Sequence, residues 1–268
     1  EDVRQRRASS FGAVAPAYDE HRPDYPEAAV RWALAPVASE DPGSMGNTGS
    51  ASLEGLPVVD LGAGTGKLTA RLASLGAVVT AVEPDEGMLA ELRRRQPGVA
   101  AVAGSAESIP VPDGSVRAVL CGQSMHWFDL DRALPEIARV LAPGGVLAGL
   151  WNNDDAQVGW VVGLHQATGD AVSPDLTVRR SEIARLRLAD RPFFAGQDVA
   201  EFPNGQPRTA DSLLATIATH SKFLVMARPE RDRVLERIRE YLASRPETAD
   251  GEFTLPMVTV VLRAVANR

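Results

Sequence analysis

A stretch of ten residues, Val58 to Lys67, combines one acidic side chain with three closely spaced glycines. Asp60 follows two valines, and Gly62, Gly64 and Gly66 come directly after it. The short apolar run predicts a buried strand that carries Asp60 at its carboxyl end. Glycines let the following backbone turn tightly and approach a ligand closely. The spacing therefore predicts a binding loop at the carboxyl edge of a parallel sheet, where α/β proteins bind ligands.

Three interpretations of this glycine loop can be compared. A phosphate-binding P-loop requires a glycine at position 61 and a serine or threonine after Lys67, but Leu61 and Leu68 stand there. A dinucleotide fingerprint has the spacing Gly-x-Gly-x-x-Gly, and here the third glycine, Gly66, comes one residue early. A structural turn without a ligand is the third interpretation, and it stays open.

A second acidic residue, Glu83, directly follows the predicted strand 77–82. It lies about twenty residues beyond the first glycine, where an acidic side chain can accept hydrogen bonds from both hydroxyls of a ribose. Several cofactors carry a ribose, so Glu83 predicts a nucleoside site without choosing among them. A solvated carboxylate at a strand end is the alternative.

Strands and helices alternate around these residues. The apolar patterns predict strands over 57–61, 77–82, 99–103, 116–121 and 146–151, and helices over 67–74, 85–95 and 131–141. Strand–helix–strand repeats imply right-handed crossovers and a parallel sheet. The predicted fold class is therefore α/β, with a doubly wound, mostly parallel sheet that has helices on both faces.

The remaining sequence divides around this alternation into three parts. Residues 1–38 form an N-terminal segment, residues 39–55 a flexible linker rich in glycine and serine, and residues 56–268 the core. Further helices are predicted over 181–189, 210–219 and 229–244, and further strands over 197–202 and 253–265. An insertion after the fifth strand, at about 152–191, is expected to build a helical cap.

Composition restricts the class of protein. A chain of 268 residues with 44% hydrophobic residues fits one large α/β domain. Its net charge of −7 argues against nucleic-acid binding, which needs a basic face. Without a long apolar run or a secretory signal pattern, we expect a soluble, cytoplasmic protein that does not bind membranes. The single cysteine excludes a cysteine-cluster metal site, and the protein is expected to be a monomer or a homodimer.

Four segments, in order, resemble the class I methyltransferases that use S-adenosylmethionine (SAM). They are VVDLGAGTG, VTAVEPDEGML, AGSAESIPVPDGSVRAVLCGQSMHWFD and EIARVLAPGGVLAGLWN, and they cover roughly residues 56–153. The spacing of the three glycines after an acidic residue is also that of SAM enzymes. The resemblance implies a seven-stranded, Rossmann-like sheet with an antiparallel last strand, and transfer of the SAM methyl group to an acceptor.

The same resemblance implies roles for individual residues. The cofactor-binding residues would be Asp60, Gly62, Ala63 and Gly64 for the methionine part, Glu83 for the ribose, Pro84 and Met88 beside the adenine, Ser105, Ala106 and Glu107 at the adenine edge, and Gln123 at the methyl-transfer cavity.

A narrower resemblance links the N-terminal segment to the trans-aconitate-type and related microbial small-molecule methyltransferases. It is carried by Phe11-Gly12, by Tyr18 and by the run Arg22 to Pro26, and also by the His126 to Asp129 tetrad after the fourth strand. In those enzymes the N-terminal segment folds over the cofactor. The resemblance therefore implies a small-molecule acceptor and a lid that contains Tyr18, Arg22 and Tyr25. A helix that simply packs on the sheet is the alternative.

The expected chemistry needs little from any one side chain. The methyl group of a sulfonium is already activated, and alignment of two reactants can lower a barrier by about 7–11 kcal/mol. His126, beside the predicted cavity, is the candidate general base; a structural role orienting Trp127 is the alternative. No metal is expected, because we find no His/Asp/Glu cluster of the kind that holds one. Two rival classes stay open: a non-catalytic SAM-binding protein and a nicotinamide-dependent oxidoreductase.

Overall fold

The computed structural model describes residues 23–38, 52–169, 186–218 and 226–267, together with Ile183 and Phe223. The helices of these ranges are α1 (Glu27–Leu34), α2 (Lys67–Ser74), α3 (Glu86–Arg95), α4 (Leu130–Val140), α5 (Gly159–Thr168), α6 (Ala210–Ala218) and α7 (Arg228–Ala243). The strands are β1 (Pro57–Leu61), β2 (Val78–Glu83), β3 (Ala100–Ala103), β4 (Val116–Gly122), β5 (Leu141–Asp154), β6 (Phe194–Thr209) and β7 (Glu252–Ala266).

The strands form one seven-stranded sheet in the order β3-β2-β1-β4-β5-β7-β6. The first five strands are parallel, and β7 runs antiparallel to both β5 and β6. The predicted α/β class, the seven strands and the antiparallel last strand are therefore confirmed. Strand order reverses direction between β1 and β4, and ligands of such sheets bind beyond the carboxyl ends at this point.

Two apolar layers cover the faces of the sheet. One layer contains Leu134 and Ile137 of α4, and the other contains Leu34 of α1 and Leu72 of α2; each of these side chains is at most 1% exposed. Burying a side chain of this size contributes about 1.5–3 kcal/mol. Because these layers cover both faces of the sheet, β1 is buried on both faces, and its residues before Asp60 are all apolar.

A third apolar cluster, the cap cluster, lies at the carboxyl end of β5. It joins α5, α6 and α7 to the first residues of β7, among them Phe253 and Leu255. Of these three helices only α5 comes from the segment predicted to build a cap; α6 and α7 lie in the connection between β6 and β7. The division of the chain into segments otherwise stays a prediction.

Strand β6 is much longer than the strand predicted over 197–202. It spans sixteen residues and pairs with β7 along its whole length. Pro203, Gly205 and Pro207 lie in the part of β6 that continues beyond the predicted strand. Proline lacks the N–H that a central strand must donate, but it is tolerated in an edge strand. Because β6 is the edge of the sheet, these residues do not end it.

Several sequence predictions fall wholly or partly outside the described residues. Tyr18 and Arg22 of the predicted lid lie outside them, as do residues 39–51 of the predicted linker and most of the predicted helix over 181–189. Of the linker, residues 52–55 are described, and there Leu53 is packed into the apolar layer of α1 and α2. No helix in the described ranges is long and apolar enough to cross a membrane.

We expect Gly163→Ala in α5 to lower the free energy of unfolding by about 1–2 kcal/mol. Alanine favours a helix, but its Cβ would overlap the Tyr241 hydroxyl oxygen. That hydroxyl donates to the Trp160 carbonyl at 2.7 Å, and a displaced tyrosine loses this bond. Urea unfolding measures the change. Gly159→Ala, where the added carbon meets nothing within 4 Å, is the control, and equal losses in both variants would contradict the prediction.

Candidate functional site

The glycine loop between β1 and α2 crosses the carboxyl end of β2. The N–H groups of Gly62 and Ala63 both donate to the Val82 carbonyl, at 2.8 and 3.1 Å. Gly62, Gly64 and Gly66 have φ angles of 70°, 57° and 93°, which a residue with a Cβ adopts at a cost of roughly 1–2 kcal/mol. The glycines therefore permit the turn that brings the loop beside the end of the second strand.

Asp60 lies beneath this loop and is fully buried. Its Oδ2 accepts a hydrogen bond of 2.6 Å from the Thr69 hydroxyl of α2. Its Oδ1 is buried without a hydrogen-bond partner among the described residues. Burial raises the pKa of Asp60 from 3.8 to about 7, although the Thr69 bond opposes the shift. A buried acceptor in this state can take a hydrogen bond from a ligand or a water molecule.

Glu83 ends β2 and turns back towards the loop. Its Oε2 accepts from the Gly64 N–H at 2.8 Å, and its Oε1 accepts from the Asp85 N–H at 2.9 Å. The residue is 7% exposed, and burial raises its pKa against the opposing effect of these two N–H donors. Each carboxylate oxygen has a second lone pair. Glu83 can therefore hold the loop and still accept hydrogen bonds from a ligand.

The segment after β3, predicted to flank an adenine, forms a tight turn at the same edge of the sheet. Ser105 and Ser108 exchange backbone hydrogen bonds, and Ala106 is buried. The Glu107 carboxylate accepts from the Asp129 N–H at 3.0 Å. This bond joins the turn to the segment after β4.

A charged pair on α4 holds the next residues of this turn. The Glu136 carboxylate accepts from the Ile109 N–H at 2.8 Å. The Arg139 guanidinium donates to the carbonyls of Ile109 and Val111, at 2.9 and 3.0 Å. The turn is thus fixed to a helix whose apolar side is part of the core.

Two residues predicted beside the adenine flank the start of α3. Pro84 is exposed, and Met88 is buried. The Met88 N–H donates to the Asp85 carboxylate at 2.9 Å, which caps the helix. Both residues thus follow Glu83 closely in space as well as in sequence.

The end of β4 is held from both neighbouring strands. Gln123 has a φ angle of 56°, an unfavourable conformation for a residue with a side chain. Its N–H donates to Leu150 and its side-chain amide to the carbonyl of Asn152, both at 2.9 Å. The Ser124 hydroxyl donates to the Leu61 carbonyl at 2.7 Å. The residues predicted from separate motifs therefore meet along the carboxyl ends of β1, β2, β3 and β4.

His126 is exposed and lies on the 3₁₀ turn Met125–Trp127, just after this point. Its ring is 4.8 Å from the Trp127 ring, at an angle of 44°. Its role as a base stays a prediction. Another histidine, His165 of α5, bonds through Nε2 to the Asp154 carboxylate at 2.9 Å. Within the described ranges, no three His, Cys, Asp or Glu side chains are grouped closely enough to hold a metal ion.

Three polar side chains that organise this edge were not predicted from the sequence. Thr69 binds Asp60, Ser124 binds the end of β1, and the side chain of Asn152 bonds to the carbonyls of Pro23 and Asp24. Thr69 lies nine residues from its partner, so helical spacing after the glycine loop could have indicated it. The partners of Ser124 and Asn152 are distant in sequence, and no local pattern indicated them.

Gly62→Ala and Gly64→Ala are expected to lower the stability of the protein by different amounts. At Gly62 an added Cβ would lie 2.6 Å from the Ser124 Cβ, whereas at Gly64 it would meet no described atom within 4 Å. Strain and overpacking should lower the stability of Gly62→Ala by about 2–4 kcal/mol, and strain alone that of Gly64→Ala by about 1–2 kcal/mol. Chemical unfolding measures both, and equal losses would contradict the assignment of a contact at Gly62 and open space at Gly64.

Comparison with known proteins agrees with this geometry. Residues 59–149 match the family model of a methyltransferase domain. The chain is 39% identical over 263 residues to an uncharacterized methyltransferase of Mycobacterium tuberculosis, covering 97% of each protein. It is 41% identical over 145 residues to an uncharacterized methyltransferase of Schizosaccharomyces pombe, covering 54% of this chain and 53% of that protein.

A solved structure extends the similarity to three dimensions. A candidate type II methyltransferase from Anaeromyxobacter dehalogenans superposes with a TM-score of 0.66 at 27% identity, over 92% of this chain and 97% of that one. Three findings indicate the same family: the sequence identity over nearly the whole length of a relative, the domain match and the shared fold. This chain belongs to the class I SAM-dependent methyltransferases.

Proposed function

We propose that the chain binds SAM along the carboxyl ends of β1, β2 and β4 and transfers its methyl group to a small-molecule acceptor. One observation carries the proposal: the Glu83 carboxylate is buried at the end of β2 and bonded to the Gly64 N–H. In this position the carboxylate can accept hydrogen bonds from the hydroxyls of a ribose while it holds the glycine loop.

The residues fit the cofactor in two further ways. The Asp60 Oδ1 is a buried acceptor without a partner in the described part of the chain, and it lies below the loop that we assign to the methionine part. A Cβ added at Gly64 would meet no described atom within 4 Å, so the backbone there borders open space. Gly62, Ala63 and Gly64 can therefore approach a ligand directly.

The adenine is assigned to the space between the start of α3 and the turn after β3. Pro84 and Met88 would pack beside it, and Ser105, Ala106 and Glu107 would flank its edge. The support is that α4 and the segment after β4 hold this turn in place.

When bound, SAM supplies an activated methyl group on a positively charged sulfur. The protein then has to bind the acceptor, orient it and exclude water, which can provide most of the rate. Gln123, whose strained backbone is held by β5, would border the reacting atoms. His126, nearby and exposed, would accept a proton from an acceptor that loses one.

We also propose that the N-terminal segment covers the cofactor and that Tyr18 and Arg22 contact it. Support comes from the residues just after them, Pro23 to Tyr25, which are bonded to the same edge of the sheet. The Tyr25 side chain is only 5% exposed and packs with α1 and α2. Pro23, the first described residue of this segment, is bonded to Asn152, whose carbonyl in turn accepts from the Gln123 side chain.

The acceptor would lie between the cofactor and the cap cluster. The hairpin of β6 and β7 extends past the end of β5 and carries α6 and α7 at its tip. A small molecule suits a site between a sheet edge and a group of helices, and the net charge of −7 makes a nucleic acid a poor acceptor. We expect a cytoplasmic enzyme that is a monomer or homodimer and uses no metal.

Titration calorimetry with SAM tests the first half of the proposal. Binding with a Kd in the micromolar range is expected, and NADH should give no signal. The second half is tested with tritiated SAM and a protein-free extract of small molecules, where label should move to an organic product only when the protein is present. Tight SAM binding without labelled product from any extract would favour the non-catalytic alternative. Absence of SAM binding by the folded chain would refute the proposal.

A further inference from the structure

Three residues, Pro23 to Tyr25, form what we call the anchor segment, and side chains from β5 and β6 hold its backbone. The Asn152 side-chain amide donates to the carbonyls of Pro23 and Asp24, both at 3.3 Å. The Asn204 amide donates to the Asp24 carbonyl at 3.0 Å. Two strands thus bind the two carbonyls of one short stretch of chain.

The orientation of the Asn152 amide is set by its neighbours. The Asn152 Oδ1 accepts from the Thr259 hydroxyl of β7 at 2.5 Å and from the Asn204 amide at 3.3 Å. With the oxygen on that side, the nitrogen must face the anchor segment. Asn152 is 6% exposed and Thr259 is fully buried. Buried hydrogen bonds of this kind are costly to break, because each lost partner leaves a polar group unsatisfied.

The other side of the anchor segment is held by α2, the helix that follows the glycine loop. The Asp24 carboxylate lies 3.4 Å from the Lys67 ammonium. The Arg71 guanidinium donates to the Tyr25 carbonyl at 3.0 Å. The anchor segment therefore bridges the strands β5 to β7 and the helix that begins at the proposed cofactor loop.

The Tyr25 ring extends from this bridge to the end of β4. A Cβ added at Gly122 would lie 2.6 Å from the Tyr25 hydroxyl oxygen, so only glycine lets the hydroxyl approach so closely. Gly122 directly precedes Gln123, which borders the proposed methyl-transfer cavity. The anchor segment thus determines the position of the Tyr25 hydroxyl beside that cavity.

We propose that Asn152 is a positioning residue for the cofactor site, because its side-chain amide holds the anchor segment and thereby places the Tyr25 hydroxyl at Gly122. The inference rests on the proposed function, since it assumes that SAM binds beside Gln123. Asn152 itself does not contact the cofactor in this arrangement. It acts through the anchor segment, on which β5, β6 and β7 converge.

The test compares two adjacent asparagines by SAM titration calorimetry. Asn152→Ala should raise the Kd for SAM about tenfold, the size of effect typical of residues that act on a site through others. Asn153→Ala is the matched control, because Asn153 is 8% exposed and, among the described residues, its side-chain amide donates to its own strand, at the Trp151 carbonyl 3.5 Å away. Its Kd should stay within about threefold of that of the unaltered protein. Thermal melting shows whether the two variants lose similar stability.

Two further measurements separate positioning from general damage. Hydrogen exchange of the peptide that contains the anchor segment should become faster in Asn152→Ala and not in Asn153→Ala. The Kd of the double variant Asn152→Ala/Tyr25→Phe should rise by less than the product of the two single effects, because both changes act on one contact. If Asn152→Ala does not fold, Thr259→Val removes one donor to the same amide and should shift both readouts in the same direction.

The outcomes are distinct. Equal Kd values for the two asparagine variants, or unchanged exchange of the anchor segment, would overturn the positioning role and leave SAM binding intact. No SAM binding by the unaltered protein would instead refute the proposed function, and this inference with it.

Discussion

Replacing Glu83 with alanine is expected to weaken SAM binding by about 100-fold. Two hydrogen bonds from ribose hydroxyls to a carboxylate are worth about 1.5–3 kcal/mol each, and the lower end of this range, about 3 kcal/mol for both, corresponds to roughly 100-fold at 1.4 kcal/mol per factor of ten. The same substitution removes the acceptor of the Gly64 N–H, at 2.8 Å, and so loosens the loop assigned to the methionine part. Titration calorimetry with SAM at constant salt measures the change.

Two controls define what the loss at Glu83 means. Glu83→Gln keeps the size of the side chain and one acceptor oxygen but removes the charge. Its Kd for SAM should therefore rise by about tenfold, less than that of Glu83→Ala. Glu86→Ala removes an exposed carboxylate from the first turn of α3 and should leave the Kd unchanged. If Glu83→Ala binds SAM as tightly as Glu86→Ala does, the ribose lies elsewhere and the proposed cofactor site is wrong.

Replacing Asp60 with asparagine is expected to remove a large part of the pH dependence of stability. Burial raises the pKa of Asp60 from 3.8 to about 7, so the folded state retains a proton that the unfolded state has lost. Stability then falls as the pH rises from about 4 to about 7 and is constant above that range. At 1.36 kcal/mol per pKa unit, the total is on the order of 4 kcal/mol.

Urea unfolding at several pH values from 4 to 8 measures this effect. The free energy of unfolding of Asp60→Asn minus that of the unaltered protein should increase with pH across this window. Glu83 has a shift of the same sign, but it is present in both proteins, so most of its contribution cancels in the difference. A difference that is independent of pH would show that Asp60 is ionised in the folded protein at low pH.

SAM binding gives a second measure of the same group. If the Asp60 Oδ1 meets the cationic amino group of the methionine part, SAM affinity of the unaltered protein should rise as the pH passes through about 7. Asp60→Asn should bind SAM with an affinity that changes little over this range. If SAM binding weakens as the pH rises in both proteins, Asp60 is not one of the contacts of SAM.

Much of the architecture followed from local patterns. The valines before Asp60 indicated a buried strand, and the structure has β1 in that place with the same bounds. Alternating strands and helices led to the parallel part of the sheet. The glycine spacing predicted a loop at the carboxyl edge, and Gly62, Gly64 and Gly66 all adopt the positive φ angles that such a loop requires. Such features depend on residues close in sequence.

Other features could not be predicted because their causes lie far along the chain. The predicted strand ended at residue 202, yet β6 continues through Pro203 and Pro207, since an edge strand does not need every N–H group. The cap cluster draws α5 from one connection and α6 and α7 from another. Helices were predicted over 210–219 and 229–244, but no local pattern indicated which elements they pack against.

The sequence by itself determined the order of the strands along the chain, the glycine loop after Asp60 and the acidic residue at the end of β2, because short-range periodicity and backbone sterics govern them. Only the tertiary structure decided that Asn152, Asn204 and Thr259 meet at the anchor segment, more than one hundred residues from Asp24 in sequence. An amide side chain can form hydrogen bonds at any position, but its partner is determined only when strands from distant parts of the chain come together.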